Sequence, residues 1–480
     1  MKRIIFSLCL ISSFFVVAQT TIVDEKYEKN NYPIGHFVLS KSNLFVISKG
    51  DKMGGLVRAN EINSMCTYDF DGTKKVLFDN KKIIETLFSV DNQALLVTDI
   101  SSGVFNSKSK YLFADKYIEL NKSDLKDLRN FYSGNSFFTS KNEFYLKNKK
   151  DESNINLEKD DIILFVKDIF TRKKVSYKVD KPNLDKLVGP NFIKPKEDLG
   201  FDFIVNSDET LDLVTKSIST DYSNTVFYKT RLSIDGKKIN ELAYDLTIPN
   251  HVFLYSRNNG GKLVLGGAND KFIHFSDDLS INNYVSDIET GDIYIYGLYG
   301  DEFGKLNDQA NPKGFYVFKY DKAGKKIWES INKIDDSDFN KYHTMTTVFV
   351  DLVQLNNNLC FSIRINSLKD FFNYSIIDIV SGSIVKAENL VFNETFAHIN
   401  DTKNNMYKIN SSFKNLKELK SKKFDFNSVV AFNTNAKFAD YIKNVSSKND
   451  VNFYSSFSVK GIWLYESDDK EYYKVTLFKL

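Results

Sequence analysis

Histidine, the residue type that most often binds catalytic zinc, occurs five times in this chain. No two histidines stand in an H-x-H or i, i+4 pair, so a zinc site would have to be assembled from distant segments. We therefore predict no metal site and assign each histidine to the core or to the surface. The positions are His36, His251, His274, His343 and His398.

Carboxylates gather in the short segment Asp69-Phe70-Asp71-Gly72, which has the beginning of a calcium-loop spacing. The loop template fails because Thr67 occupies the first ligand position and Phe78 the place of the closing glutamate. This segment aligns with the turn Asp321 to Gly324, for which we predict a hairpin turn with the glycine at positive φ.

No Gly-x-Ser-x-Gly elbow, phosphate-binding loop or dinucleotide-binding glycine motif occurs in the sequence. Glycosidase-type carboxylate pairs stay open, because 62 acidic residues offer many pairs and sequence spacing does not place them in space. We predict a protein that is not an enzyme and uses no cofactor.

The segment from Met1 to Ala18 has the pattern of a cleaved secretory signal peptide. Lys2 and Arg3 supply the positive start, and Ile4 to Val17 is an apolar run too short to span a bilayer comfortably. Cleavage after Ala18 would make Gln19 the first residue. We therefore predict an exported chain with no membrane span.

The cysteine content indicates a fold that does not depend on disulfide bonds. Cys9 lies in the apolar run without a small residue before it, so we predict no lipid anchor. Cys66 and Cys360 are too few for a disulfide framework, and whether they pair stays open.

The composition excludes a nucleic-acid binder and favours strands. The formal net charge is only +3, of which Lys2 and Arg3 contribute two, so there is no basic field. Phe occurs 41 times and Tyr 26 times, with only 6 Pro, which suits pleated strands joined by polar turns.

Short alternating segments separated by turn residues recur along the chain. The clearest stretch, 251–285, predicts four consecutive strands at 251–256, 262–266, 271–276 and 280–285. Such a meander is the repeating unit of a β-propeller blade.

A second repeat centres on Gly72, Gly236 and Gly324. Each glycine follows a strand and precedes a Lys-Lys pair and then Ile or Val. The spacing divides into units of about 41 to 44 residues, close to common blade lengths. We predict an all-β fold, a β-propeller of seven blades, with eight as the alternative. The count of seven combines the first and last strand clusters through an N-terminal strand that pairs with the hairpin Trp463 to Phe478.

One short helical insertion is predicted, with Ser123 as its N-cap, Asp124 and Asp127 in its first turn, and Leu125 and Leu128 on one face. No Pro- or Ser-rich linker divides the chain. We therefore predict one domain over residues 19–480 after the signal peptide at 1–18.

The segment Gly314 to Asp321, with Gly324, Lys325 and Trp328, resembles the Asp, Gly, Trp strand-turn-strand signature of bacterial β-propeller repeat families. The likeness covers about fifteen residues and implies the fold rather than an activity. Quinone-dependent dehydrogenase propellers need a Trp in many blades, whereas only Trp328 and Trp463 occur here. Sialidase Asp boxes are one residue shorter than the turn Asp321 to Gly324.

The Ala18-Gln19 junction and the Lys-, Asn-, Phe- and Tyr-rich composition resemble Bacteroidota envelope proteins. This resemblance implies a periplasmic accessory of outer-membrane secretion or gliding machinery, such as a plug of the type nine secretion channel. Location at the inner face of the outer membrane, or secretion, is the alternative.

We predict a non-catalytic binding platform whose partner is an outer-membrane or periplasmic protein. The loop from Gly300 to Lys313 is the predicted contact, with Glu302, Phe303, Leu306 and Asn311 as its contact residues. The alternative function is a carbohydrate-binding or glycoside-cleaving propeller that uses Tyr and Phe as sugar-stacking platforms.

Overall fold

The structure of the chain is a computed structural model that describes residues 19–26, 32–39, 44–50, 62–79, 83–88, 94–99, 108–113, 116–119, 136–148, 162–180, 192–193, 202–206, 208–219, 223–253, 272–275, 283–287, 290–300, 312–337, 339–341, 347–366, 370–392, 406–408, 423–445, 451–458, 460–468 and 472–479. The predicted signal peptide at 1–18 and the predicted helix at 123–128 lie outside these ranges.

The described residues are mostly strands, and the strands form six sheets. The first strand, β1 (Gln19–Lys26), belongs to the last sheet. Sheet A contains β2 (Tyr32–Leu39), β3 (Leu44–Gly50), β4 (Ile62–Tyr68), β5 (Lys74–Phe78), β6 (Ile83–Phe88), β7 (Ala94–Asp99), β8 (Lys108–Phe113) and β9 (Lys116–Glu119). Sheet B contains β10 (Ser136–Phe138), β11 (Asn142–Asn148), β12 (Ile162–Asp168) and β13 (Lys174–Lys178).

Three further sheets follow in chain order. Sheet C contains β14 (Phe192–Ile193), β15 (Asp202–Val205), β16 (Leu211–Ser219), β17 (Asn224–Leu232) and β18 (Lys238–Thr247). Sheet D contains β19 (Val252–Phe253), β20 (Phe272–Phe275), β21 (Asn283–Asp287), β22 (Ile293–Gly300), β23 (Pro312–Tyr320) and β24 (Lys326–Lys333), after which a 3-10 turn spans Phe339–Lys341. Sheet E contains β25 (Thr347–Leu355), β26 (Asn358–Asn366), β27 (Asp370–Asp378) and β28 (Ile384–Phe392).

Sheet F joins both ends of the described chain. It contains β29 (Met406–Lys408), β30 (Lys423–Asp425), β31 (Asn452–Ser458), β32 (Gly461–Ser467) and β33 (Tyr472–Lys479), with β1 at its edge. β1 pairs with β33 from Gln19 opposite Phe478 to Lys26 opposite Tyr472, so an N-terminal strand does pair with the C-terminal hairpin. Two helices, α1 (Phe426–Thr434) and α2 (Ala436–Val445), connect the parallel pair β30 and β31.

The chain divides into two compact units, residues 1–54, 64–79 and 393–480 in one and residues 55–63 and 80–392 in the other. This division does not by itself fix the number of domains, so one domain over 19–480 stays a prediction.

In the second unit, sheets B to E pack face to face in chain order through three apolar cores. Between sheets C and D, Tyr244 meets Tyr320 edge-on at 4.9 Å between ring centroids. Between sheets D and E, Phe315 stacks on Phe361 at 4.3 Å. Each core uses one face of each sheet, because side chains alternate along a strand. Antiparallel sheets packed this way have the arrangement of β-propeller blades.

The count of six sheets among the described residues corrects the predicted seven blades and the alternative of eight. The stretch 251–285 does not form a blade of its own, because Val252–Phe253 pairs with β22 and β21 pairs with the other end of the same strand. The described strands of the stretch 251–285 therefore belong to sheet D, together with β22, β23 and β24.

In the first unit, sheet F is covered on both faces. Trp463, Val475 and Leu477 pack on one face against Phe45 and Ile47 of sheet A. On the opposite face, α2 packs on β33, where Phe438 and Tyr441 contact Phe478 at 5.0 and 5.4 Å between ring centroids. The sequence analysis predicted neither of these two helices.

Candidate protein-interaction surface

A tight hairpin turn joins the last two strands of sheets B to E and also joins β4 to β5 in sheet A, and each of these five turns places one residue at positive φ. Glycine occupies this position at Gly72, Gly236, Gly324 and Gly382, with φ between 73° and 91°, and Arg172 occupies it in sheet B at φ 61°. The predicted hairpin turns with glycine at positive φ are therefore confirmed. Only glycine adopts this conformation without steric cost.

Aspartate side chains tie these turns together from within. Asp168 Oδ1 accepts hydrogen bonds from the backbone N–H of Thr171 at 2.6 Å and of Phe170 at 2.9 Å. Asp378 does the same for Ser381 and Val380. These backbone hydrogen bonds lower the pKa of both carboxyls. The aspartates are thus engaged within their own turns.

The calcium-like segment belongs to this class of turn. Asp69 Oδ1 accepts the N–H of Thr73 at 2.9 Å and of Asp71 at 3.2 Å, so it caps the hairpin. Within the described ranges, no group of three or more His, Cys, Asp or Glu residues is arranged to hold a metal ion.

Each turn of sheets C, D and E packs on the outermost strand of the preceding sheet. A Cβ placed on Gly236 would lie 3.2 Å from the carbonyl oxygen of Lys178, and one on Gly324 would lie 3.2 Å from Cδ2 of Leu242. The third contact is the tightest, since a Cβ on Gly382 would lie 2.6 Å from Cε3 of Trp328. The recurring glycine therefore serves both the turn and the contact between sheets.

A β-bulge follows the glycine in three successive sheets. Pairing skips one residue on β18, β24 and β28, at Ile239, Ile327 and Val385 respectively. The skipped residue lies third after the positive-φ glycine in each case. Because these strands are sheet edges, the bulged side chain is free of both ladder and core.

These bulged positions expose branched apolar side chains to solvent. The exposed fraction is 56% for Ile239, 48% for Ile327 and 62% for Val385. In sheet B, Val175 also lies third after the positive-φ residue, Arg172, and is 37% exposed, although it pairs with Val166 without a bulge. We call these four side chains, Val175, Ile239, Ile327 and Val385, the outer row.

Lysines flank the outer row. Lys238 pairs with Glu241 at 3.1 Å and Lys326 with Glu329 at 2.6 Å, and all four side chains are at least one-quarter exposed. Exposed pairs of this kind contribute about 0 to 1 kcal/mol, so a partner can replace either carboxylate at little cost. The turn aspartates are held in place, whereas the lysines are available for contact.

The predicted contact residues Glu302, Phe303, Leu306 and Asn311 lie outside the described residues. The structure describes the two ends of their loop, where Gly300 of β22 pairs with Pro312 of β23. His251 Nδ1 lies 3.0 Å from the carbonyl oxygen of Gly300, which gives this histidine a structural role.

A second cluster of titratable groups lies where β1 meets β3, β4 and β33. Lys49 Nζ lies 2.6 Å from Glu25 Oε2, the hydroxyl of Tyr68 donates to Glu25 Oε1 at 3.3 Å, and the hydroxyl of Tyr473 donates to Oε2. Burial opposes ionisation of Glu25, but hydrogen bonds from Lys49 and Tyr473 hold its pKa below the ordinary value. Burial raises the pKa of both tyrosines. Neither the carboxyl nor the phenols are poised to exchange a proton near neutral pH, so the cluster holds β1 in place.

The two cysteines of the folded part are buried and free, which answers the question the sequence left open. Burial raises the pKa of the Cys66 and Cys360 thiols. Neither therefore has the exposed, acidic thiol of a reactive cysteine.

Neither a described protein family nor a curated protein matches this sequence. Among solved structures, the chain is similar to one from a study of two prolyl endopeptidases, with 11% identity, 76% of this chain and 42% of that chain covered, and a TM-score of 0.31. It is also similar to the β-propeller domain of the Trilobed protease from Pyrococcus furiosus (10% identity, 76% and 97% covered, TM-score 0.27) and to an oligogalacturonate lyase in complex with manganese (10% identity, 96% and 97% covered, TM-score 0.27). This chain thus spans less than half the length of the first of these proteins. At such identities and TM-scores, the likenesses carry no argument about what this chain does.

The outer row was not singled out from the sequence, although its signal is there. A Lys-Lys pair followed by Ile or Val comes directly after Arg172, Gly236 and Gly324, and it precedes three of the four outer-row residues. An apolar residue just inside a predicted edge strand, behind two lysines, indicates an exposed apolar side chain. The sequence pattern around these turns therefore also indicated the exposed apolar positions.

Proposed function

We propose that this protein is a non-catalytic binding platform that holds an acidic partner protein along the outer row. The observation that carries the proposal is the recurrence of an exposed Ile or Val at one structural position in successive sheets. Single exposed apolar residues are ordinary, so it is the regular recurrence of such residues in successive sheets, with lysines nearby, that favours a protein-binding surface. The flanking lysines favour a partner with carboxylates.

The energetics fit a contact that is part of a larger interface. Burying the exposed half of an Ile or Val side chain contributes about 1 kcal/mol, so the outer row supplies about 4 kcal/mol. Alone, this corresponds to a dissociation constant near 1 mM. A physiological partner would therefore engage the row together with the adjoining lysines or the loop that carries Glu302 and Phe303.

The cell envelope is the proposed location, because the pattern of residues 1–18 is that of an export signal. The first strand begins at Gln19, directly after the proposed cleavage site. The resemblance to Bacteroidota envelope proteins supports a soluble accessory of a secretion or gliding complex. No helix among the described residues is both long and apolar enough to span a bilayer.

The carbohydrate alternative requires exposed aromatic platforms. Many described tyrosines are instead core residues, with exposed fractions below 2% for Tyr228, Tyr294, Tyr296 and Tyr316. The described residues thus favour the protein-binding proposal.

The test compares the mature chain with a variant in which all four outer-row residues are replaced by Thr, which keeps strand propensity while removing apolar surface. Both serve as bait in envelope extracts, and recovered proteins are identified by mass spectrometry. We expect a specific acidic partner whose recovery falls at least ten-fold with the variant and declines with added salt. Val76→Thr is the matched control, since Val76 is 53% exposed on another edge strand, outside the row. Equal recovery by the variant and the wild type contradicts the proposal.

A further inference from the structure

A group of charged side chains lies inside the core between sheets C and D. Asp212 of β16 pairs directly with Arg231 of β17, and Lys229 shares their face because it lies two residues earlier. Phe227 and Tyr244 lie on the same face and belong to the apolar core between the two sheets. The charges therefore sit among apolar and phenolic side chains.

The charges in this group do not balance. The guanidinium of Arg231 donates two hydrogen bonds to the carboxylate of Asp212, from Nε to Oδ1 at 2.8 Å and from Nη2 to Oδ2 at 2.9 Å. Lys229 Nζ stays 4.0 Å from Oδ2, beyond hydrogen-bond distance, although Lys229 is only 2% exposed. Two cations thus share one carboxylate, and the ion-pair contact of the Lys229 ammonium among the described residues is the long one to Asp212. A largely buried cation with so distant a counter-charge is unfavourable.

A phenol beside the ion pair is also unsatisfied. The hydroxyl of Tyr244 is buried and has no hydrogen-bond partner among the described residues. Burial raises the pKa of Tyr244, so the phenol stays protonated and can donate a hydrogen bond. The side chain of Arg231 is 28% exposed, which connects the group to solvent.

We propose that this group is a binding site for a small oxyanion, a carboxylate or phosphate group, held by Lys229 Nζ and the Tyr244 hydroxyl with Arg231 at its mouth. An oxyanion supplies the acceptors that the ammonium and the phenol lack, and its charge offsets the excess cation. Because Asp212 is already neutralised by Arg231, it offers little opposition to the incoming anion. Tyr244 shares the edge strand β18 with Ile239 of the outer row, but Tyr244 is buried in the core whereas Ile239 is exposed, so the two sites can be tested separately.

The test measures anion binding to the mature chain by two methods, thermal unfolding and isothermal titration calorimetry. The probes are sodium phosphate and sodium acetate, compared with sodium chloride at equal ionic strength. We expect a saturable stabilisation by phosphate, acetate or both, and the probe that binds identifies the oxyanion chemistry. Equal effects of all three salts overturn the proposal.

Variants locate the binding to these residues. Lys229→Met keeps the apolar stem, so we expect binding to weaken at least about ten-fold, as for the loss of a charge-assisted hydrogen bond. Tyr244→Phe removes only the hydroxyl and should weaken binding several-fold. Lys238→Met, which removes an exposed lysine of the same sheet, is the control and should bind as the wild type does. Should Lys229→Met fail to fold, Tyr244→Phe decides, and undiminished affinity in that variant overturns the site.

Discussion

Replacing Gly382 with alanine tests how the turn of sheet E packs on the outer strand of sheet D. Gly382 has φ 73°, and an added Cβ would lie 2.6 Å from Cε3 and 2.7 Å from Cδ2 of Trp328. The indole cannot yield easily, because it packs in the core and its Nε1 donates to the carbonyl of Ile379 at 3.2 Å. The substitution must therefore displace the turn or the ring.

The magnitude follows from two contributions. Positive φ costs an alanine about 1 to 2 kcal/mol, and a gain of about 0.4 to 1 kcal/mol from the stiffer unfolded chain partly offsets this. Overpacking against the indole adds about 1 to 3 kcal/mol. We expect Gly382→Ala to lower the free energy of unfolding by about 2 to 4 kcal/mol.

Two glycines in equivalent turns provide matched controls. A Cβ on Gly72 would be 3.8 Å from its nearest neighbour, so Gly72→Ala should cost only the backbone contribution, about 1 kcal/mol. A Cβ on Gly324 would meet the end of the Leu242 side chain at 3.2 Å, which can turn aside, so Gly324→Ala should fall between the two.

Urea unfolding measures these differences. The chain has 2 tryptophans, so a Trp463→Phe background leaves Trp328 as the only fluorescent indole and a reporter of the altered contact. In a Trp328→Leu background, followed by circular dichroism, the extra cost of Gly382→Ala should disappear. If Gly382→Ala costs no more than Gly72→Ala, the reasoning about close approach is refuted.

Three further predictions concern titratable side chains. Burial raises the pKa of Asp425 to about 6. The protonated carboxyl therefore contributes about 3 kcal/mol to the free energy of unfolding below pH 4, and this contribution is lost as the pH rises to 6. In urea titrations, Asp425→Asn should remove this pH dependence of the free energy of unfolding. Glu25→Gln should lower the free energy of unfolding by about 1 to 2 kcal/mol, whereas Lys74→Met, at an exposed lysine 3.8 Å from that carboxylate, should cost less than about 0.5 kcal/mol. Cys66 and Cys360 should react with Ellman's reagent only at the rate of unfolding, because both thiols are buried.

Each of these predictions has a defined contrary result. If the stability of the Asp425→Asn variant varies with pH between 4 and 6 as steeply as that of the wild type, a group other than Asp425 is responsible for the pH dependence. Equal losses in Glu25→Gln and Lys74→Met would reduce the Glu25 cluster to an ordinary surface ion pair. Fast labelling of both thiols in native buffer would show that the core opens far more readily than its packing indicates.

Local features of the fold were predictable because their causes are local. The turns at Gly72, Gly236 and Gly324 were predicted since positive φ selects glycine directly in the sequence. The blade count was not, because pairing between strands far apart along the chain decides it. The alternating pattern from 251 to 285 is the same whether its strands form a sheet of their own or, as observed, pair with β22.

The helices α1 and α2 were missed because local propensity there opposes the final structure. Val429, Val430 and the neighbouring Phe432 favour a strand, yet burial against β31 makes the segment helical. The available signals were the capping aspartate Asp425, whose side chain accepts the N–H of Ser428, and the apolar spacing of α2.

The identity of the bulged residues separates function from fold in the outer row. A bulge on an edge strand protects the sheet from unwanted pairing, and a charged side chain at the bulge would strengthen that protection. The fold therefore accounts for the bulge at Ile239, Ile327 and Val385 but gives no reason for apolar side chains there. Lysine would serve the fold better at each position, as it does at neighbouring Lys238 and Lys326. Retaining Ile and Val in successive sheets costs solubility without gaining core contacts, which is the expected pattern where a partner covers the surface.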